Sequence, residues 1–182
     1  MRRIGGVLEL GESIVERACA LFWQAQSAAL LQGRSIEAMA AASVYATCRC
    51  NGLPRTPSDV AAPARVEAER VRHCYAILNR ELDLPTVPPS PAVYVPRFAS
   101  ELGLSDGTRH YGTQLAERAH DRGLSNGKNP AGVAAGALYL AARERAESVT
   151  QAALADVASV STVTVRNRWE ELQEAIEDGP LG

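Results

Sequence analysis

The stretch GRSIEAMAAASVYATCRCNG (residues 33–52) indicates the architecture of the chain, because it lies over GKNPAGVAAGALYLAARERA (residues 127–146) without a gap. At the same offset of 94 positions, the match continues to Leu78, which lies over Leu172, and reaches back to Leu8, which lies over Leu102. Identical residues fall on apolar and polar positions alike. A unit that fills almost half the chain is too long for a solenoid repeat. The sequence therefore predicts two tandem copies of one domain.

The composition favours small helical cores. The chain has 182 residues, of which 46% are hydrophobic, and many of these are alanines that suit closely packed helices. No apolar run reaches the roughly 20 residues needed to cross a bilayer, and the opening MRRIGGVLELGESIVER meets charge too early for a secretory signal. We expect a soluble intracellular protein. A net charge of −2 excludes nucleic-acid binding by overall charge, so any such site must be local.

The cysteines and histidines give little support to a metal site or an enzyme. The four cysteines form no CxxC pair, all lie in the first copy, and are expected to be reduced core thiols without disulfide or zinc. The three histidines are scattered, and no phosphate-cradling glycine loop follows a strand. These residues are Cys19, Cys48, Cys50, Cys74, His73, His110 and His120.

Capping residues and apolar spacing predict an all-α fold. Apolar residues at steps of three and four predict a helix over 12–31 that Gly33 ends. Ser35 and Asn129 are N-cap types that open alanine-rich central helices over 36–49 and 130–143.

Further along each copy, Thr56 and Thr150 are expected to cap a short third helix. Final helices are predicted over 66–82 and 160–176. The five prolines at 85, 88, 89, 91 and 96 cannot all lie inside helices, which makes Leu84–Pro91 a stiff linker. The glycines at 179 and 182 suggest a frayed tail. The predicted domains are residues 1–84 and 91–182, joined by the linker 85–90.

The segment TQAALADVASVSTVTVRNRWEEL (residues 150–172) carries the sharpest local signal. A capped short helix, a turn at Ser159–Ser161 and a second helix from Thr162 form a helix-turn-helix pattern. Helical spacing turns one set of side chains inward: Val165, Trp169, Leu172 and Ile176. It leaves another set facing out: Val163, Thr164, Arg166, Asn167 and Glu170.

An exposed valine three residues before an arginine suits base reading in the major groove. Val163 can meet a thymine methyl group while Arg166 donates to guanine. Arg168 is better placed for a phosphate. The competing interpretation is an ion pair between Arg166 and Glu170 on a solvated face, but the helix-turn-helix context favours base reading.

Four stretches resemble a known family: GRSIEAMAAASVYATCRCNGLPRT, SPAVYVPRFASELGLS, GKNPAGVAAGALYLA and VTVRNRWEEL. Together they closely resemble the core of archaeal transcription factor B, the counterpart of eukaryotic transcription factor IIB. The resemblance implies two cyclin-like five-helix domains, the second ending in a helix-turn-helix. It also implies a non-enzymatic, monomeric, cytoplasmic and nucleoid-associated protein that binds TATA-binding protein on promoter DNA, with RNA polymerase as a partner of the full-length factor.

The resemblance also implies roles for particular residues. The second copy would read the B-recognition element upstream of the TATA box, and the first would meet DNA downstream of it. The implied DNA contacts are Val163, Arg166, Thr162, Asn167, Arg168, Gly33, Arg34 and Lys128. The implied contacts to TATA-binding protein are Arg49 and Arg65. For Gly33 and Arg49, capping a helix end is an alternative or additional role.

The chain departs from the family pattern in several places. ARVEAERVRHCY stands where the family usually carries RVxKKEIGR, so Ala68 and Glu69 replace two lysines and the contact to TATA-binding protein is in doubt. Pro63 lies inside a short helix. Ser159 replaces a preferred glycine at a turn position where a positive φ is expected.

The family's N-terminal zinc ribbon and the linker that follows it are missing from this sequence, so no cofactor is expected. Two origins stay open: an excised core, or a natural short paralogue that would compete at promoters. A cyclin-like module that binds only proteins is a further alternative, but such a module has no reason to expose Val163 and Arg166.

Overall fold

The computed structural model describes residues 1–86 and 89–177, and within them it contains ten α-helices and no strand. The predicted tail glycines lie outside the described residues. The chain divides into two compact units, Met1–Val87 (unit 1) and Pro88–Gly182 (unit 2). The exact limits of the linker stay a prediction, since residues 87 and 88 are not described. The all-α tandem prediction is confirmed.

Unit 1 consists of α1 (Arg2–Val7), α2 (Glu12–Ser27), α3 (Ile36–Cys50), α4 (Pro57–Ala64) and α5 (Ala68–Glu81). Unit 2 opens with a 3₁₀ turn (Pro91–Tyr94) and continues with α6 (Val95–Glu101), α7 (Asp106–Asp121), α8 (Pro130–Glu144), α9 (Gln151–Ala158) and α10 (Thr162–Glu177). The start of every helix from α2 to α5 recurs 94 positions later. The two units therefore have the same helical plan.

Each unit is built around its central helix. Helix α3 packs against α2, α4 and α5, and α8 packs against α7, α9 and α10. Nearly every residue of α8 between Ala131 and Ala142 is buried, as expected for a helix covered on all sides. Its small alanine and glycine side chains allow the surrounding helices to approach closely.

The predicted caps start the helices. Ser35 accepts a hydrogen bond from the backbone N–H of Ala38, and Asn129 accepts one from that of Ala131. Thr56 caps α4 in a reciprocal capping box with Asp59. Each cap of this kind stabilises its helix by about 1 kcal/mol. The helix starts predicted from these residues are confirmed.

Left-handed backbone positions also repeat. Five positions with positive φ in unit 1 have a positive-φ counterpart 94 residues later, although the side chains usually differ. The pairs are Glu9 with Gly103, Ala29 with Gly123, Gly33 with Gly127, Gly52 with Ala146, and Arg65 with Ser159. The two units therefore keep one backbone path where their sequences have diverged.

The predicted end of α2 is wrong. The helix ends at Ser27, and the left-handed residue that follows it is Ala29, with φ of 58°. Gly33 has φ of 70° but lies in the loop before α3, so it is not the C-cap of α2. The apolar run through Leu31 continues past the helix because Leu30 and Leu31 pack against the core from the loop.

Candidate nucleic-acid interface

Helices α9 and α10 form the helix-turn-helix expected from the sequence. Thr150 caps α9 by accepting from the N–H of Ala153 at 3.1 Å. Ser159 then adopts φ of 53°, which confirms the expected positive φ at this turn. Ser161 accepts from the N–H of Thr164 at 3.1 Å and so opens α10. The turn fixes where the second helix begins and which of its faces meets solvent.

The inner face of α10 anchors it in the core. Val165 and Leu172 are buried, and Ile176 packs against the same core. Trp169 is half-buried, with its ring centroid 5.8 Å from that of Tyr139, and the Arg143 guanidinium lies 4.8 Å from the indole centroid. The inward set predicted from helical spacing is confirmed.

The outer face presents the side chains chosen as base readers. Val163 is apolar, yet 62% of its surface is exposed to solvent. The Arg166 side chain is 65% exposed, and its Nε donates to Glu170 Oε1 at 3.0 Å. Thr162 and Asn167 are exposed beside them. The ion pair considered from the sequence is therefore present on a helix face that is open to a partner.

Thr164 does not face outward as predicted. It is half-buried, and a Cβ added to Gly132 of α8 would lie 2.9 Å from its Cγ2. One turn further along α8, a Cβ on Gly136 would lie 2.6 Å from Arg168 Cβ and 2.9 Å from the backbone N of Trp169. These two glycines let α10 sit directly on α8, which leaves no room for Thr164 to turn away.

The carboxylate of Glu171 pairs with two side chains that were predicted to contact DNA, Lys128 and Arg168. Glu171 Oε2 lies 2.8 Å from Lys128 Nζ and 2.6 Å from Arg168 Nη1. The Arg168 side chain is only 19% exposed. Lys128 of the loop before α8 and Arg168 of α10 thus lie on either side of Glu171, which balances part of their charge.

In unit 1, the implied DNA contacts lie in the loop before α3. Arg34 is exposed, and its Nη1 donates to the carbonyl oxygens of Leu30 at 2.8 Å and Gln32 at 3.2 Å. Gly33 is exposed beside it. The loop therefore presents a guanidinium at the surface in a partly fixed orientation.

Arg49, one implied contact to TATA-binding protein, is held by aromatic rings. Its guanidinium carbon lies 6.0 Å from the ring centroid of Tyr45 and 5.6 Å from that of Tyr75. Its Nη1 donates to the Tyr45 hydroxyl at 3.3 Å. Arg65, the other implied contact, is exposed at the left-handed turn between α4 and α5.

The two residues that replace family lysines differ in their surroundings. Ala68 is half-buried against the core of unit 1. Glu69 is exposed, and its Oε2 lies 2.6 Å from Arg72 Nη1. The negative charge of Glu69 is therefore offset by a neighbour on the same helix.

The cysteines and histidines form no reactive cluster. All four cysteines are free; Cys48 and Cys74 are buried as expected, whereas Cys19 and Cys50 are only half-buried. Burial raises the pKa of the Cys48 thiol to about 11 and also raises the pKa of Cys50 and Cys74, so these thiols stay protonated at neutral pH. Across residues 1–86 and 89–177, no group of three metal-ligating side chains comes together. None of the helices there is long and apolar enough to span a bilayer.

Comparison with known proteins identifies the fold. The model of the transcription factor TFIIB repeat matches residues 1–81 and 86–175. The chain belongs to the TFIIB repeat family. This is a family of transcription factors and not of enzymes.

The chain is similar to archaeal initiation factors. It is 45% identical over 175 residues to transcription initiation factor IIB 1 of Halobacterium salinarum, covering 96% of this chain and 61% of that protein. It is 45% identical over 177 residues to factor IIB 5 of the same organism, covering 97% and 58%. It is 41% identical over 174 residues to transcription initiation factor IIB of Archaeoglobus fulgidus, covering 96% and 53%. The chain thus spans between half and two thirds of these relatives.

The sequence did not reveal every contact within this candidate interface. Glu171 was missed as the partner of Lys128 and Arg168. The spacing of Arg168 and Glu171 at i and i+3 is a readable signal, but Lys128 is 43 positions away and meets Glu171 only through the fold. The close approach at Gly132 and Gly136 was missed for the same reason.

Proposed function

We propose that this chain is the promoter-binding core of a transcription initiation factor, which binds TATA-binding protein on promoter DNA and reads the upstream B-recognition element. The observation that carries the proposal is the exposure of Val163 and Arg166 on the outer face of α10. A rigid helix is a good support for base reading, because its side chains are held in position before DNA arrives. The similarity to archaeal initiation factors supports the same role.

The ion pair at Arg166 does not prevent base reading. An exposed pair such as Arg166 with Glu170 contributes about 0–1 kcal/mol, whereas a bidentate contact from arginine to guanine discriminates by about 1–3 kcal/mol. When the helix enters the major groove, the contact from Arg166 to guanine is therefore more favourable than its ion pair with Glu170. Val163 would add a thymine-methyl contact on the same face.

Contact with TATA-binding protein is assigned to Arg49 and Arg65. The Tyr45 and Tyr75 rings hold the Arg49 guanidinium in place, so binding an acidic partner costs less side-chain freedom than it would for a mobile arginine. The replacement of two lysines by Ala68 and Glu69 lowers the positive charge nearby. We expect docking to depend on Arg49 more than on α5.

A gel shift tests the proposal. A TATA promoter duplex is incubated with this chain, with and without TATA-binding protein, using an intact or a scrambled upstream element. We expect this chain to give a supershift only when TATA-binding protein and the intact element are both present. A chain that gives no supershift under any of these conditions would fit the protein-binding module considered from the sequence, and the proposal would fail.

Two variants assign the reading and docking roles. Arg166→Ala should weaken binding by roughly 1–3 kcal/mol and relax sequence preference at one base pair, because only that base loses its partner. Arg49→Ala should weaken the supershift on the intact element without changing which base pairs of the element are preferred. Unchanged element preference in Arg166→Ala would show that α10 does not read the element through this residue.

A further inference from the structure

A surface cleft in unit 1 lies between the loop before α3 and helix α5. Its volume is about 350 Å³, and Gly33, Arg34, Ser35, Arg70, His73 and Cys74 line it together with Ala38 and Glu69. Two of these residues are arginines from different segments of the chain. The cleft is therefore lined by cationic side chains from two separate segments.

The corresponding place in unit 2 is built differently. At the offset of 94 positions, the cleft residue Cys74 corresponds to Arg168, and Ile77 corresponds to Glu171. Unit 2 thus fills this position with a large cation and supplies a carboxylate to balance it. Unit 1 has a short thiol and a buried isoleucine there, so the space stays open and lacks that carboxylate.

The cations of the cleft carry unbalanced charge. Across the described residues, neither Arg34 nor Arg70 forms an ion pair with a carboxylate, and Arg34 uses only Nη1 in its contacts of 2.8 and 3.2 Å to two backbone carbonyls. Among the described residues that line the cleft, Glu69 is the one carboxylate, and Arg72 holds its Oε2 at 2.6 Å. The site keeps a net positive charge, which favours a phosphate group.

We propose that this cleft binds a backbone phosphate of promoter DNA, with Arg70 as a contact beside Arg34. The inference rests on the proposed function and extends it to a residue that neither sequence pattern nor family resemblance assigned. It also divides the work between the units: unit 1 supplies salt-sensitive affinity for the backbone, and α10 of unit 2 supplies sequence preference.

The test compares Arg70→Ala with Arg80→Ala, which removes the same charge from the same helix but lies outside the cleft. Affinity of the complex with TATA-binding protein and a promoter duplex is measured at several salt concentrations. We expect Arg70→Ala to weaken binding about three- to tenfold on every element sequence and to lower the salt slope by about 1. Arg80→Ala should leave both quantities unchanged, and Arg70→Lys should restore most of the affinity because it restores the charge.

The source of the phosphate is tested by nuclear magnetic resonance of the ¹⁵N-labelled arginine side chains in the whole chain. The Arg70 Nε–H signal should shift with the duplex complex and not with an equal concentration of inorganic phosphate. An equal shift with inorganic phosphate would overturn the assignment to DNA.

The two proposals fail in different ways. If the wild-type chain forms no complex at all, the proposed function fails and this inference falls with it. If the complex forms and Arg166→Ala loses element preference, while Arg70→Ala keeps the wild-type affinity and salt slope, only the cleft assignment is wrong.

Discussion

Units 1 and 2 share a helical plan but differ in how the last helix meets the central one. In unit 2, α10 lies against Gly132 and Gly136 of α8, and a Cβ added to either glycine would fall within 3.0 Å of α10. In unit 1, the corresponding residues of α3 are Ala38 and Ala42, both buried. One scaffold thus accepts a methyl group at this contact in one copy and excludes it in the other. The copy without the methyl groups is the one that carries the exposed Val163 and Arg166.

Some side-chain contacts are common to both units, and others are found in only one of them. Both units stack an arginine on aromatic rings at the same place, with Arg49 near Tyr45 and Tyr75 in unit 1, and Arg143 over Trp169 in unit 2. This stack belongs to the shared plan. The counter-ion Glu171 has no counterpart in unit 1, so the balance of charge around the cations is specific to each unit.

The largest effect is expected from filling the close approach. Gly136→Ala should destabilise unit 2 by roughly 1–2 kcal/mol, because the new methyl group meets backbone atoms of α10 that cannot rotate away, and this outweighs the gain in helix propensity. Thermal unfolding followed by circular dichroism measures the change, and the gel shift should show weaker element preference. Ala42→Gly in unit 1 is the matched control, and it should cost about 1 kcal/mol through helix propensity without altering element preference. Equal losses of preference in both variants would show that close packing has no special role in unit 2.

Removing the Glu171 carboxylate should leave Lys128 and Arg168 without their counter-ion, as Arg34 and Arg70 are among the described residues of unit 1. Glu171→Gln should tighten DNA binding by about 1 kcal/mol and raise the salt slope by about 1, because Lys128 and Arg168 lose their shared counter-ion. Titration of the promoter complex at several salt concentrations measures both. The isosteric swap keeps the shape of the side chain, so an unchanged slope would mean that these cations do not face the backbone of DNA.

A reciprocal exchange at the end of the central helices tests the shared backbone path. Gly52 and Ala146 follow α3 and α8 with φ of 67° and 55°. Ala146→Gly should stabilise unit 2 by about 0.5–1 kcal/mol, because a left-handed alanine is strained, and Gly52→Ala should destabilise unit 1 by a similar amount. Chemical denaturation measures both changes. If both substitutions changed the free energy of unfolding in the same direction, these two positions would not be equivalent.

The smallest effect concerns acid stability. The hydroxyl and N–H of Ser105 donate to Glu147 and lower the pKa of that carboxyl group, whereas the corresponding positions in unit 1 are Gly11 and Leu53. A carboxyl group with a lowered pKa in the folded state stabilises above its unfolded pKa of about 4.3, and this stabilisation is lost as the pH falls through the folded value. The difference in unfolding temperature between wild type and Glu147→Gln should therefore be present at pH 7 and shrink toward zero in acid. If the difference in unfolding temperature grew as the pH fell, the pKa of Glu147 would not be lowered in the folded state.

Capping residues predicted the helix starts well, because a cap such as Ser35 or Thr150 acts through neighbours in sequence. The end of α2 was harder to predict. Ala29 ends that helix in a left-handed conformation that alanine seldom adopts, and Leu30 and Leu31 extend the apolar pattern past it. Only the packed core makes this turn favourable.

For the interface, helical spacing and the family resemblance both chose Val163 and Arg166, and the structure exposes both side chains. Thr164 was placed on the wrong face because the glycines that draw it inward lie on another helix. The joint role of Glu171 was hidden because Lys128 is remote in sequence. Local geometry could be predicted from sequence, whereas contacts between distant segments required the fold.

The arginine stack on Trp169 has a practical consequence, because the chain's two tryptophans fall one in each unit. Trp23 of unit 1 is 62% exposed. Trp169 of α10 in unit 2 is half-buried between Tyr139 and Arg143. Indole emission shifts to longer wavelength in water, so the two residues should fluoresce at distinguishable wavelengths. Replacing either one by phenylalanine would leave a single tryptophan, whose emission would report the unfolding of its own unit and, for Trp169, the proposed binding of DNA at α10, without any added dye.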